Sequence, residues 1–277
     1  MQKDNLAWLD CLKREGIRRK LDHRLGVSYH DMTQKQKDII EIDQKQKRDL
    51  VKSPYDPELL KKTKIAVLGH SVSQFDNIWH QPYMEYFLLQ NLDLGKFSRF
   101  QSNEYSESRA YLCDLFDDSE YVGVVSASWN SKYSGECIDN FPNWENVSYL
   151  YNYPNVILCG HAAHLECESM FRLFEEDFSK EFVAYISSFT GPVIGFGIWA
   201  NQIICHRSIY MKLQEFHRKM IPLICDKEWP LTIVKDKRVL FQHRAIGLLL
   251  EAATNMWVAS QPFVVLENAS VKEKWYG

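Results

Sequence analysis

Lys64-Ile65-Ala66-Val67-Leu68-Gly69-His70 is the segment that decides the fold. It is a short apolar run that ends in a glycine and opens on a polar loop, Ser71-Val-Ser-Gln-Phe-Asp76. Such a run is typical of the first strand of an α/β sheet. Two further apolar runs, at residues 121–126 and 156–158, predict further strands of the same sheet.

The segments between these strands have the spacing of helices. Apolar and aromatic residues predict helices at residues 83–92, 106–116, 162–178 and 243–258, and residues 207–224 are a further segment of this part of the chain. Two short strands are predicted near the end of the chain, at residues 231–234 and 263–266, the second at a sheet edge. Because strands alternate with helices, we expect an α/β fold with a mainly parallel sheet.

Residues 1–60 differ in character from the rest of the chain. Leucines recur there at helical spacing among basic residues, and a second, very polar helix is predicted to end before Ser53-Pro-Tyr-Asp-Pro57. We therefore expect a helical N-terminal extension (1–60) and an α/β domain (61–277). Residues 1–64 contain 16 Lys and Arg against 11 Asp and Glu, whereas the remainder is acidic. The extension suits a phosphate-bearing or acidic partner, or it is an ordinary solvated helical face.

Composition excludes several classes of protein. Of the 277 residues, 45% are hydrophobic and 25% are charged, which is typical of a globular domain and excludes a wholly disordered chain. Aromatic residues reach 13%, which suits either stacking on flat or sugar-like ligands or the filling of a core. Seven scattered cysteines without a Cys-x-x-Cys motif, and no apparent signal peptide, predict a cytoplasmic protein. Residues 182–205 lack charge, but polar residues, Gly and Pro interrupt them, so we expect no membrane span.

Polar side chains follow the first two strong strands and form the candidate cleft. Ligands of open α/β sheets bind beyond the carboxyl ends of the strands. The first loop contributes Gly69, His70, Ser71, Ser73, Gln74 and Asp76, and the second contributes Ser126, Ser128, Trp129, Asn130, Lys132 and Tyr133. Their hydroxyls, amides and indole ring suit a sugar nucleotide, although ordinary polar loops have the same composition.

Two clusters are weak candidates for metal ligands. Asp117-Asp118 precedes a predicted strand, and no Asp-x-Asp follows one, so no carboxylate clamp for a metal on a diphosphate is evident. Cys159-Gly-His161-Ala-Ala-His164-Leu-Glu-Cys167 is too compact for a structural zinc site. We expect a structural role for this cluster, including a pairing of His164 with Glu168 one helical turn away, or a His161 that faces substrate.

Two further motifs leave alternatives open. Gly191-Pro-Val-Ile-Gly195-Phe-Gly197 lacks the strand–turn–helix context of a dinucleotide-binding loop. It suits either tight packing or the approach of a ligand to the backbone. Arg244 and Glu251 lie about two turns apart on one face of a predicted helix, as a buried structural pair or as part of a site.

Five short motifs also occur in an order that carries a resemblance. They are Lys64 to His70, Tyr105-Ser-Glu107, Glu120-Tyr-Val-Gly-Val124, Asn201-Gln-Ile-Ile-Cys-His206, and Arg244 through Glu251. Together they resemble a family of bacterial capsule and lipopolysaccharide glycosyltransferases, galactofuranosyltransferase-like and long catalogued as a domain of unknown function. The likeness covers residues 64–260. One segment departs from the family, which has His-Tyr-Arg-Arg-Tyr where this chain has Ser126-Ala-Ser-Trp-Asn130.

The resemblance implies a GT-A-like α/β fold with a mainly parallel, Rossmann-like sheet flanked by helices. It also implies transfer of a sugar from a nucleotide sugar, expected to be a UDP-sugar, to a hydroxyl of a glycan acceptor. Such a reaction needs a base for the acceptor hydroxyl and polar or positive groups for the leaving diphosphate. We expect the base to be Asp76, then Glu251, then Glu107.

The remaining site residues follow from the same resemblance. Arg244 is expected to bind the leaving phosphate, with Arg207 and Lys132 in reserve. The donor is expected to contact Gly69, His70, Ser71, Ser126, Ser128, Trp129, Asn130, Asn201 and Arg207. No metal ligand is assigned, and because the donor loop is altered, a need for Mn²⁺ or Mg²⁺ stays open.

Three other interpretations of the same residues remain. The enzyme could glycosylate a modified base in DNA, with the basic extension on the phosphate backbone; its activity would then fall steeply with salt. The chain could instead be a non-catalytic nucleotide-sugar or glycan-binding protein. It could also be an unrelated α/β scaffold, which no nucleotide sugar would stabilise.

Overall fold

The computed structural model describes the central part of the chain and leaves the first 49 residues out of the description. It describes residues 50–51, 56–76, 82–100, 108–116, 118–127, 144–159, 162–166, 180–181, 184, 194–198, 203–225, 232–235, 238–241, 250, 253–254, 257–258 and 260–267. Within these residues lie one six-stranded sheet, two two-stranded ribbons and helices on both faces of the sheet.

The six-stranded sheet is mixed and mostly parallel. Its strands are β1 (Thr63–Gly69), β2 (Met84–Leu88), β3 (Tyr121–Ser126), β4 (Val156–Cys159), β7 (Ile203–His206) and β10 (Val264–Glu267), in the order β10-β4-β7-β3-β1-β2. β1 is parallel to β2 and to β3, and β4 is parallel to β10. Only β7 is reversed among these six, because it pairs antiparallel with both β3 and β4. The expected α/β fold with a mainly parallel sheet is therefore confirmed.

β1 is buried on both faces of the sheet, which explains its unbroken apolar sequence. Ala66 and Leu68 belong to one hydrophobic cluster, and Ile65 and Val67 belong to another on the opposite face. All four side chains are at most 1% exposed. A strand covered on both sides reads as a continuous apolar run rather than as an alternation, so the segment that predicted the fold also forms its centre.

Three α-helices have bounds that the structure gives in full. They are α1 (Pro57–Lys61), α2 (Trp144–Asn152) and α3 (Arg207–Cys225). The Asp56 side chain caps α1 by accepting the Glu58 N–H at 2.9 Å. The segment at 207–224 forms α3, which buries Leu213 and Phe216 in the same cluster as Ala66.

Several other sequence predictions are confirmed. The runs at 121–126 and 156–158 form β3 and β4, and the run at 263–266 forms β10, which lies at the edge of the sheet as expected. The run at 231–234 forms β8 (Thr232–Lys235), which pairs with β9 (Arg238–Phe241) in a two-stranded ribbon. Within the predicted helix 243–258, the five described residues are helical and buried: Leu250, Ala253, Thr254, Trp257 and Val258.

Two predicted helices are wrong where the structure describes them. The aromatic run at 83–92 forms β2 and then a 3₁₀ turn (Leu89–Asn91), because residues 84–88 pair with β1 from Ile65 to Gly69. Residues 162–166 form β5 (Ala162–Glu166) instead of a helix, because they pair with β6 (Ile194–Ile198). Aromatic and apolar residues also favour strands, and long-range pairing decides between the two structures. A further predicted helix, at 106–116, is present only as a shorter 3₁₀ helix, Ser108–Leu112.

Residues 50 and 51, which belong to the expected N-terminal extension, contact the rest of the described chain at the end of α2. The Val51 N–H donates to Tyr153 Oη, and Asn152 Nδ2 donates to the Val51 carbonyl, both at 3.0 Å. Leu50 packs against the hydrophobic cluster on this face of the sheet. Residues 1–49 lie outside the described residues, so the helical extension stays a prediction. Within the described part of the chain, no helix combines the length and the apolar character needed to cross a membrane.

His217 of α3 is a fully buried histidine that the structure holds in its neutral form. Its ring stacks on the Tyr111 ring, with centroids 4.3 Å apart and an angle of 9° between the planes. Its Nε2 lies 3.1 Å from Thr254 Oγ1, whose hydroxyl donates to the Leu250 carbonyl at 2.7 Å. Since that hydroxyl has a single hydrogen, Nε2 must carry the proton of the neutral ring. Burial lowers the pKa of His217 to about 3.

We expect this histidine to make the protein less stable in mild acid. The unfolded chain binds a proton at His217 below about pH 6.5 and the folded chain does not, so the free energy of unfolding falls as the pH falls. Between pH 6.5 and 5 the loss from this group is about 2 kcal/mol. Urea denaturation of the wild type and of His217→Phe at several pH values measures it. Between pH 6.5 and 5 the wild type should lose about 2 kcal/mol more than His217→Phe; parallel curves would contradict the assignment.

Candidate functional site

The order of the strands gives the position of the candidate site. β1 lies between β2 and β3, so the chain leaves β1 to one side for β2 and returns to the other side for β3. Ligands of open α/β sheets bind at such a reversal, beyond the carboxyl ends of the strands. Leu68 of β1 pairs with Ser126 of β3, and the Ala127 N–H donates to the Leu68 carbonyl at 2.7 Å. The loops after β1 and β3 therefore begin side by side, as the sequence predicts.

The loop after β1 keeps its shape through local hydrogen bonds. It turns through a short 3₁₀ segment, Val72–Gln74. The His70 N–H donates to Gln74 Oε1 at 2.6 Å, and the Ser71 and Ser73 hydroxyls hydrogen-bond to each other at 2.9 Å. These bonds lie within the loop itself, so that little further ordering of the loop would be needed for a ligand to bind.

Phe75 forms the floor of this loop beneath Gly69. The Phe75 ring is buried and meets the Tyr86 ring edge to face, with centroids 5.1 Å apart. A Cβ atom on Gly69 would lie 2.6 Å from Phe75 Cε1, closer than carbon atoms can approach. The absence of a side chain at Gly69 therefore lets the aromatic ring fold under the end of β1. Gly69 is among the site residues expected from the sequence and Phe75 is not, although a glycine at a strand end with an aromatic residue a few positions later is the available signal.

We expect Gly69→Ala to destabilise the protein through Phe75. The added methyl group must displace the ring, and such overpacking costs about 1–3 kcal/mol. Phe75→Leu shortens the side chain and should make Gly69→Ala less costly. The free energies of unfolding of both single variants and the double variant give the coupling between the two sites, expected at about 0.5–3 kcal/mol. Strict additivity would contradict this packing.

The side chains that the loop exposes are suited to bind hydroxyls and phosphate. His70, Ser71, Ser73 and Asp76 are exposed or partly exposed, and Val72 is 64% exposed between the two serines. Imidazole, hydroxyl and carboxylate groups together offer hydrogen-bond donors and acceptors and two acid–base groups, the imidazole and the carboxylate. Ser126 at the end of β3 is 6% exposed, so the structure does not present its side chain beside the exposed side chains of the first loop, where a donor contact was expected.

Several predicted site residues lie outside the described residues. They are Ser128, Trp129, Asn130, Lys132 and Tyr133 of the second loop, and Glu107, Asn201, Arg244, Glu251, His161 and Glu168 elsewhere. Asn201 precedes β7 by two residues in the sequence. β7 begins at Ile203, which pairs with Val124 and with Cys159 and is therefore at the same end of the sheet as the two loops.

Arg207 is at the opposite end of the sheet. β7 is antiparallel to its neighbours, so it ends where β3 begins, and the Arg207 N–H donates to the Glu120 carbonyl at 2.8 Å. The structure therefore does not bring Arg207 together with His70 and Ser126, because the reversed direction of β7 carries it away from them. Nothing in the local sequence signals that reversal.

The structure describes Asp118 of one region considered as a metal site and His164 of the other. Asp118 precedes β3, as expected, and is thus at the amino end of that strand. His164 lies in β5 opposite Phe196, so the helical spacing expected between His164 and Glu168 does not hold at that residue. Within the ranges the structure describes, no group of three His, Cys, Asp or Glu residues is arranged to hold a metal ion.

No family model, no curated protein and no solved structure matches the chain. The features of this chain that bear on function are therefore the two loops at the carboxyl ends of β1 and β3 and the order of the motifs along the sequence.

Proposed function

We propose that this chain is a GT-A-like glycosyltransferase, which moves a sugar from a nucleotide-sugar donor to a hydroxyl of a glycan acceptor. The donor we propose is a UDP-sugar. The observation that carries the proposal is the reversal of strand order at β1 and β3, where two polar loops open side by side. This is the position at which open α/β sheets bind nucleotides. The mostly parallel sheet and the order of the five motifs support the same conclusion.

The donor would lie across the ends of β1 and β3. His70, Ser71 and Ser73 offer an imidazole and two hydroxyls to the ribose and the phosphates, from a loop that its own hydrogen bonds hold in shape. The second loop continues from Ala127 into Ser128, Trp129 and Asn130, residue types that stack on a ring and bond to sugar hydroxyls.

The reaction requires one proton acceptor and one group that binds the leaving diphosphate. The base takes the proton of the acceptor hydroxyl while the oxygen of that hydroxyl bonds to the anomeric carbon of the donor sugar. The bond from the anomeric carbon to the nucleoside diphosphate breaks at the same time. Asp76 is the described carboxylate of the β1 loop, and it is exposed. We assign it as the base, ahead of Glu251 and Glu107. Arg244 is assigned to the departing diphosphate, with Lys132 in reserve.

A divalent metal would assist departure of the diphosphate by neutralising its charge. In the described part of the cleft, Asp76 and His70 are the side chains of a type that binds Mn²⁺ or Mg²⁺, and two side chains do not complete the oxygen-rich shell these ions require. The described residues do not fit a resident metal, so no step of the reaction is assigned to one.

The proposal is tested by following release of UDP from a set of UDP-sugars, with and without Mn²⁺. Transfer to a saccharide or slow hydrolysis by water is expected. Binding of a nucleotide sugar without any release of UDP would make the chain a binding protein. Transfer to hydroxymethylated DNA that weakens steeply with salt would instead favour the DNA-modifying alternative, in which the basic extension contacts phosphates.

A further inference from the structure

One face of the six-stranded sheet is covered unevenly from one edge to the other. α2 lies on this face, where it contacts β4 and β7 and holds Leu150 at 1% exposure. Towards the β2 edge the same face carries the β2 strip, four apolar and aromatic side chains that are only partly buried: Tyr83, Met84, Tyr86 and Leu88. A contiguous apolar surface that water still reaches marks a place where another segment or chain packs.

Tyr83 lies just before β2 and close to the end of α2. Burial, and then the nearby Tyr151 of α2, raise the pKa of Tyr83 to about 12. The Tyr151 hydroxyl lies 3.3 Å from the hydroxyl of Thr63, the first residue of β1. The end of α2 and the starts of β1 and β2 therefore meet at the amino ends of the strands, and the β2 strip begins there.

The chain that precedes residue 50 joins the described structure at the same place. Val51 is bound by the two residues that follow Tyr151: its carbonyl accepts from Asn152 Nδ2, and its N–H donates to Tyr153 Oη, both at 3.0 Å. Leu50 packs in the same hydrophobic cluster as the β2 strip. Leu50 and Val51 thus form an anchor that fixes the end of the extension near the start of the strip, on the same face of the sheet.

The sequence directly before this anchor has the spacing and the length to cover the strip. Met32, Ile39 and Ile42 share one side of the helix that the sequence predicts there, and the positions opposite them are polar. Residues 50–51 are not helical, so the helix is confined to residues 31–49. It would be about 28 Å long, whereas β4 and β2 are four strand spacings apart, about 19 Å. The segment can therefore reach from the end of α2 across the sheet to β2.

We infer that residues 31–49 pack as a helix on the β2 strip, with Ile39 and Ile42 facing the sheet, and that they thereby support the candidate site. The Tyr86 ring of the strip meets the Phe75 ring edge to face, with centroids 5.1 Å apart, and Phe75 is the floor of the β1 loop. A helix packed over Tyr86 therefore limits the movement of that floor. The packing is independent of the proposed function, because it concerns a face of the sheet whatever the cleft binds.

Hydrogen–deuterium exchange of the full chain tests the inference by comparing the wild type with Ile39→Asp. An unpaired carboxylate is costly to bury against an apolar surface, so the variant should release the segment from the strip. Exchange in residues 83–88 should then become about tenfold faster or more, and exchange in residues 69–76 should rise with it. Exchange in α3 should not change, which shows that the sheet and its other face remain folded.

A second variant and a matched control keep the test decisive. Ile42→Asp should act like Ile39→Asp, whereas Gln44→Asp adds the same charge to the opposite side of the predicted helix and should leave exchange unchanged. Unchanged exchange in residues 83–88 in both isoleucine variants would overturn the packing. Faster exchange there without a change in residues 69–76 would overturn the support of the loop. Wild-type protection that is lost on dilution would assign the strip to a second copy and overturn packing within one chain.

Discussion

Replacing Asp76 with Asn is expected to lower kcat for sugar transfer by about 10²–10⁴-fold, the usual contribution of a general base. Asn keeps the size of the side chain but accepts no proton at neutral pH. Because Asp76 is exposed at the end of the β1 loop, the free energy of unfolding should change by no more than about 0.5 kcal/mol. Steady-state kinetics with a saturating UDP-sugar, together with urea denaturation, separate the two effects.

Asp118→Asn is the matched control for this variant. Asp118 is also exposed, but it precedes β3 and is thus at the other end of the sheet. Its replacement should leave kcat unchanged. If Asp76→Asn retains the wild-type kcat, Asp76 is not the base, and the assignment passes to Glu251 and Glu107.

Replacing Gly123 with Ala is expected to cost about 1–3 kcal/mol of stability, the usual range for overpacking a core. Gly123 lies in β3 opposite Ile204 of β7. An added Cβ atom would lie 2.7 Å from Ile204 Cγ1 and 2.9 Å from the Ile203 carbonyl oxygen. The second atom belongs to the backbone, so the clash is relieved only if β7 moves away from β3. Since β7 joins β4 and β10 to the rest of the sheet, such a movement would weaken the pairing of both halves.

Urea denaturation of Gly123→Ala and Gly69→Ala compares two glycines at which an added Cβ atom would contact different kinds of atom. At Gly69 the nearest atoms belong to the end of the Phe75 ring, a side chain that can rotate. Gly123→Ala should therefore cost more than Gly69→Ala. A Gly123→Ala variant as stable as the wild type would show that β3 and β7 are not packed as closely as described.

Much of the sheet could be predicted from the sequence because its central strands are buried on both faces. The runs that became β1, β3 and β4 contain hardly any polar residue, and in a globular chain a short run of this kind is typical of a strand covered on both sides. The segments that became β2 and β5 were predicted as helices because their apolar spacing is ambiguous. Their strand character depends on pairing with residues far along the chain, which no local window contains.

Part of the candidate site could likewise be predicted from the sequence and part could not. That the loops after β1 and β3 open together followed from the parallel direction of the two strands and could be predicted. The position of Arg207 at the opposite end of the sheet could not be predicted, because the direction of β7 is set by its pairing with β3 and β4 and has no local signal. The packing of Phe75 under Gly69 is likewise a tertiary contact, of which the sequence shows only a glycine at a strand end and an aromatic residue a few positions later.

Thermal denaturation in the presence of nucleotide sugars tests the central claim most directly, because it requires neither a known acceptor nor turnover. A ligand at about 100 times its Kd adds about 2.7 kcal/mol of stability and should raise Tm by about 5 °C or more. We expect at least one UDP-sugar to give this rise, with the free sugar alone as the control. If no nucleotide sugar raises Tm, with or without Mn²⁺, the cleft at the ends of β1 and β3 does not bind this class of ligand, and the proposed function is wrong.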